Sequence, residues 1–184
     1  MGQLPAELER VILTEEELQV IIARLAKELA RDYGDKSPVF VVTLKGAFIF
    51  AADLTRQLDF PYTLEFVRTS SYSGARSTGK VKLEYADNLK DRLKGRHVVI
   101  IEDILDTGIT LQALLAALAQ FETASLEVCA LLTKPSRLQV PIQPRYTGQE
   151  MPDEFLVGYG LDWNEQFRCL PYIASVNPRA VSQD

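Results

Sequence analysis

The stretch that most constrains the fold runs from His97 to Leu118, HVVIIEDILDTGITLQALLAAL. Val98-Val99-Ile100-Ile101 is an unbroken β-branched run, the pattern of a strand buried on both faces of a parallel sheet. It ends in three carboxylates, Glu102, Asp103 and Asp106. Thr107-Gly108-Ile109-Thr110 follows, small and hydroxylated around a glycine, and the apolar stretch from Leu111 to Phe121 has helical character. Strand, glycine turn and helix in that order predict an α/β chain whose ligand binds where strands end and helices begin. The free N–H groups and dipole of a helix N-terminus favour a phosphate there. Carboxylates beside it would repel that anion unless a cation lay between them or a cationic part of the ligand faced them. Helix capping by Asp106 or Thr107 accounts for one such residue, not for the whole polar turn.

The same syntax recurs. Val39 to Leu44 reads as a core strand running into Lys45-Gly46-Ala47 and a helix from Phe48 to about Leu58. Tyr62 to Thr69 and Val81 to Tyr85 read as strands around a small, polar, basic segment at 69–80, long enough to be a functional loop. Leu126 to Thr133 reads as another strand, stopped by Lys134-Pro135, and Pro171 to Val176 as a short last one. Residues 135 to 152 are proline-rich with little periodicity and read as a tethered loop. Near the start, Thr14 and Glu17 form a capping box, and Leu18, Ile21, Ile22, Leu25, Ala26 and Leu29 make one apolar helical stripe ended by Gly34. On residues alone, Lys45 and Lys134 could be solvated or snorkelling lysines, Phe155 core and Arg168 a surface charge. Gly158-x-Gly160 is not a dinucleotide fingerprint, because position 163 is Trp and the motif comes late in the chain.

Composition removes several chemistries. A length of 184 residues suits one domain. A net charge of −5 without a Lys/Arg block disfavours nucleic-acid binding. No apolar run approaches the roughly 20 residues of a membrane span, and the N-terminus lacks the pattern of a secretory signal, so a cytoplasmic protein is expected. His97 is the only histidine, and Cys129 and Cys169 lack metal-site spacing, which leaves two free or buried thiols and no His/Cys zinc site. Acid–base work then falls to carboxylates, Lys or Tyr.

Val98 to Thr110 resembles the phosphoribosyl-pyrophosphate (PRPP) motif of type I phosphoribosyltransferases: apolar strand, two acids, two apolar residues, then Asp-Thr-Gly-x-Thr. The Glu-Asp order and the Asp-Thr-Gly continuation are most similar to the hypoxanthine(-guanine) phosphoribosyltransferases. Matches at Leu44-Lys45-Gly46, Ser71-Tyr72, Lys134 and Phe155 to Arg168 follow in the family's order. The resemblance implies a mostly parallel sheet flanked by helices, a core at about 36–134, a purine-binding hood from 1–13 and 135–184, and a mobile loop at about 69–80.

It also implies roles. Glu102 and Asp103 hold the ribose hydroxyls, directly or through Mg²⁺, with Asp162 completing the metal or pyrophosphate site. Asp106, Thr107, Gly108, Ile109 and Thr110 form the 5′-phosphate loop, and Asp106 faces the purine as general base. Lys45, Gly46 and Arg168 contact pyrophosphate, in a loop that often carries a non-proline cis peptide. Ser71 and Tyr72 fold over the substrate and exclude water. Lys134 donates to a 6-oxo group, Phe155 stacks on the base, and the Leu156 backbone reads its edge. The implied activity is purine salvage: hypoxanthine, and guanine as well, receives the phosphoribosyl group of PRPP to give IMP or GMP and pyrophosphate, in a homodimer or homotetramer. A xanthine- or guanine-preferring relative shares nearly every residue named. A PRPP-sensing regulator of the same fold should show a basic face or an added DNA-binding segment. A receiver-type or haloacid-type phosphotransfer domain leaves Thr107-Gly108-x-Thr110, Lys134 and Phe155 unexplained together.

Overall fold

The computed structural model describes residues 4–71 and 81–181. The chain runs β1 (Leu8–Leu13), α1 (Glu15–Tyr33), β2 (Val39–Leu44), α2 (Phe48–Thr55), β3 (Thr63–Ser71), β4 (Val81–Glu84) and α3 (Leu89–Leu93). It continues with β5 (His97–Leu105), α4 (Ile109–Leu118), β6 (Ser125–Thr133), β7 (Tyr146–Glu150), β8 (Leu156–Val157), β9 (Ile173–Val176) and α5 (Pro178–Val181). The main sheet has the order β4-β3-β2-β5-β6-β7, parallel except for β4.

β2 and β5 lie at its centre because both faces of each are apolar. Phe40, Val42, Val99 and Ile101 pack on one side with Leu18, Ile22, Leu25 and Leu29 of α1 and Phe50 and Leu54 of α2. Val39, Val41, Val98 and Ile100 pack on the other with Leu89 and Leu93 of α3 and Leu111, Leu114 and Leu118 of α4. The period-2 alternation of a strand thus serves two helical layers at once. The capping box at Thr14 forms, with Glu17 N–H donating to Thr14 Oγ1 (3.2 Å) and Thr14 N–H to Glu17 Oε2 (2.8 Å). From β2 the chain turns toward β3, and from β5 it turns the other way toward β6 and β7. The carboxyl ends of β2 and β5 therefore flank a topological switch point, the crevice such sheets offer to ligands.

A second sheet, β1-β9-β8, is antiparallel and packs Leu8, Val157, Ala174 and Val176 together. It draws on both ends of the chain, as expected of a hood. The segment expected as a loop at 135–152 differs: Tyr146–Glu150 is an edge strand parallel to β6, so the main sheet reaches Glu150. Its polar sequence, YTGQE, hides it, because only Tyr146 is a buried anchor. Arg24 of α1 donates to the carbonyls of Thr147 (2.9 Å) and Gly148 (2.6 Å), covering the open edge. The helix expected to Leu58 ends at Thr55, where Gln57 N–H and Leu58 N–H turn back to the carbonyls of Leu54 and Thr55.

The two cysteines are free, Cys129 buried and Cys169 exposed. His97 Nδ1 pairs with Ser125 Oγ at 2.8 Å, and its ring meets Tyr33 edge-on, a packing role. Among the described residues no helix is long and apolar enough to cross a membrane.

Candidate active site

β5 ends at Leu105, and Asp106-Thr107-Gly108 turns the chain into α4. Gly108 has φ +80°, and a Cβ there would also meet Val140 Cγ2 at 2.6 Å. Both conditions demand glycine. The turn borders a cleft of about 250 Å³ lined by Thr69, Glu102 to Gly108, Thr110 and Leu111. α4 starts at its border, and a helix N-terminus there suits a phosphate.

Glu102 and Asp103 sit on the floor of the crevice. Thr43 Oγ1 donates to Glu102 Oε2 at 2.5 Å, and Ile104 N–H donates to Asp103 Oδ1 at 2.8 Å. Loss of solvent pushes both carboxyls well above the ordinary carboxylate range, and for Glu102 the neighbouring Asp103 charge adds to it. Backbone N–H groups and the Arg168 charge oppose the rise at Asp103. Two adjacent carboxyls that resist ionising together are arranged to receive positive charge from a ligand.

Opposite them lies the loop after β2. The Leu44-Lys45 peptide is cis. Gly46 passes so close to Asp103 that any side chain there would overlap its carboxylate, and Gly160 of the hood is pressed as closely on the Gly46 carbonyl. A cleft of about 310 Å³ is lined by Lys45, Gly46, Arg68, Thr69, Asp103, Asp162, Glu165 and Arg168 together with Leu44, Leu156 and Leu161. Lys45 Nζ binds Glu165 (2.9 and 3.0 Å), and Arg168 Nη2 binds Asp162 Oδ1 (2.7 Å) and Glu165 Oε2 (3.4 Å). Arg168 Nη1 donates to the Gly160 carbonyl at 2.5 Å. Two cations separated widely in sequence thus meet on one exposed carboxylate.

The third wall carries Lys134, only 5% exposed. Its Nζ donates to the Glu154 carbonyl at 2.7 Å and lies 4.0 Å from Asp106 Oδ2. Burial lowers its pKa, partly offset by the Asp106 charge. Phe155 is 47% exposed, while Leu156 beside it is buried. Arg137 Nε donates to Asp106 Oδ1 at 2.5 Å and Nη1 to Asp153 Oδ1 at 3.0 Å.

The phosphoribosyl transferase domain family matches residues 11–164. A hypoxanthine-guanine phosphoribosyltransferase of Staphylococcus aureus is 41% identical over 96% of this chain and 98% of its own length. This chain belongs to the phosphoribosyl transferase family. Among solved structures, a hypoxanthine phosphoribosyltransferase from Staphylococcus aureus superposes with TM-score 0.87 and 40% identity, covering 94% of both chains. One from Trypanosoma cruzi superposes with TM-score 0.90 and 33% identity, covering 99% of this chain and 98% of that one.

Within this phosphoribosyltransferase fold, Lys45, Gly46, Asp162 and Arg168 line one cleft, Glu102, Asp106, Thr107, Gly108 and Thr110 the other, Asp103 both, and Lys134 lies beside Asp106. Lys134 and Arg168 are not surface charges, and Phe155 is not core. Ser71 ends β3, and Tyr72 lies outside the described residues. Asp162, expected also as a metal ligand, points to Arg168 and accepts from Glu165 N–H. Among the described residues no group of three or more His, Cys, Asp or Glu side chains is placed to hold a metal. Glu102 and Asp103 are adjacent oxygen donors lining the crevice, which fits a hard cation that would take most of its ligands from substrate and water. Sequence reasoning missed Glu165 and Arg137. Neither belongs to a local motif, and their partners Asp106 and Lys45 lie far away in sequence.

Proposed function

We propose that this phosphoribosyltransferase salvages 6-oxopurines, transferring the phosphoribosyl group of PRPP to hypoxanthine, and to guanine, to give IMP or GMP and pyrophosphate. The observation that carries this is a buried lysine ammonium beside the Asp106 carboxylate, hydrogen-bonded to the Glu154 carbonyl next to the exposed Phe155 in the chain. Lys134 donates and cannot accept, so it matches a 6-oxo group and leaves adenine's 6-amino group without a partner. Phe155 stacks on the base, and the Leu156 backbone meets its edge. The hypoxanthine-guanine relatives support the same choice.

The other walls divide the remaining work. Thr107, Gly108, Ile109 and Thr110, with Asp106, receive the 5′-phosphate through backbone N–H groups and hydroxyls. Lys45, Gly46 and Arg168 receive pyrophosphate, Asp162 holding Arg168 in place. Glu102 and Asp103 bind the ribose hydroxyls. As the C1′–O bond breaks, a purine nitrogen bonds to C1′ and the electron pair leaves with pyrophosphate. Asp106 takes the proton that the purine ring must then lose. Ser71 and Tyr72 belong to the loop assigned to excluding water. Glu102 and Asp103 would hold Mg²⁺, which would supply charge neutralisation at the phosphates.

The reading extends to a cytoplasmic homodimer or homotetramer. Phe48 and Phe66, 43% and 49% exposed, are apolar enough to meet a second copy.

The test is pyrophosphate release with PRPP, Mg²⁺ and a panel of purines. Hypoxanthine and guanine should turn over and adenine barely. Adenine turnover comparable to hypoxanthine would remove Lys134 from its role, and dominant xanthine turnover would move the enzyme to the neighbouring specificity class.

A further inference from the structure

Asp106 and Lys134 face one ligand but stand 4.0 Å apart, close enough to neutralise each other. A buried ammonium next to a carboxylate is drawn into direct contact unless something competes for one of the pair. Arg137 is that competitor. Its Nε binds the other oxygen of Asp106, and its Nη1 reaches across to Asp153 of the segment that leads into Phe155. The planar guanidinium fork serves both carboxylates at once in a fixed geometry that a lysine ammonium lacks. Arg137 is itself anchored. Its N–H donates to the Lys134 carbonyl (3.0 Å), Gln139 N–H donates to the Thr107 carbonyl (3.0 Å), and Leu138 and Val140 lie over Gly108. The turn after Lys134 is thereby fastened to the phosphate loop. On the other wall, Lys134 is held back by the Glu154 carbonyl.

We propose that Arg137 is a positioning residue that holds Asp106 away from Lys134, so that the carboxylate stays available to the purine ring and the ammonium to its 6-oxo group. This rests on the 6-oxopurine reading above. Arg137 touches no substrate in this scheme. It acts through the gap it maintains.

The test uses R137Q and R137K in the full chain, with two independent readouts. The first is a crystal structure of each variant. In R137Q, Asp106 and Lys134 should close to a direct hydrogen bond of about 2.7–3.2 Å. The second is steady-state kinetics. In R137Q, kcat/KM for the purine should fall about tenfold to a hundredfold, while KM for PRPP stays within about twofold. R137K, which keeps the charge but not the fork, should fall between R137Q and wild type. An Asp106–Lys134 separation unchanged in R137Q overturns the proposal. So does a rise in KM for PRPP equal to that for the purine, the mark of a loosened site. If R137Q does not fold, the same two readings on R137K decide. If the wild-type enzyme turns over no 6-oxopurine, the functional reading fails and the crystallographic comparison still decides the role of Arg137.

Discussion

Asp106 is flanked by cations on both of its oxygens, Arg137 on one and Lys134 on the other. Asp106→Asn keeps the shape and removes the base, so kcat should fall by about 10²–10⁴, with KM for PRPP little changed. Equal losses in both constants from a well-folded variant would argue against the assignment. Asp106 was readable in the sequence because it stands inside a strand–turn–helix motif. Arg137 and Glu165 were not, because each acquires its role from partners across the fold. Arg137 pairs with a residue 31 positions away, and Glu165 with one 120 positions away.

At the scale of elements, strands dense in β-branched residues were legible, and the edge strand β7 was not. Its reason for existing lies in its neighbours. Gly148 runs hard against the Leu131 carbonyl of β6, and Ile21 Cγ2 of α1 would lie 2.9 Å from any Cβ there. Gly148→Ala should therefore cost about 1–3 kcal/mol of stability through overpacking, measured by urea denaturation, even though alanine is a milder strand residue elsewhere. A destabilisation near zero would mean that β7 shifts freely at the edge. Of the hood strands, β9 was legible within Pro171 to Val176, while β1 and β8 were hidden for a similar reason. β8 is two residues long and exists only as pairing with β9.

Across the whole molecule, the parallel sheet separates reactivity from stability. The clefts lie at the carboxyl ends of the strands. At the amino ends, Asp32 of α1 accepts from Arg31 (2.8 Å), Arg145 (2.9 Å) and the Tyr146 hydroxyl (2.8 Å). The Arg31 and Tyr146 hydrogen bonds, resisted in part by burial, hold its carboxyl well below the ordinary range. A depressed folded-state pKa contributes stability above the unfolded value, near pH 4, and that contribution is lost as pH falls toward the folded value. Asp32→Asn should lower stability at neutral pH by about 1 kcal/mol, a low figure because the arginines reach solvent. The gap from wild type should shrink below about pH 4, with kcat unaffected. A constant gap across the acid range would show that the charge of Asp32 is not what stabilises. The hood has a different consequence, one of timing. Leu8 pairs with Val176, nearly the whole chain apart, and Val176 N–H in turn binds the carbonyl of Phe155. Closing so long a loop is slow and comes after local structure has formed. The shelf for the base is then among the last features to assemble, and a growing chain on the ribosome would own a phosphate cradle well before it could recognise a purine.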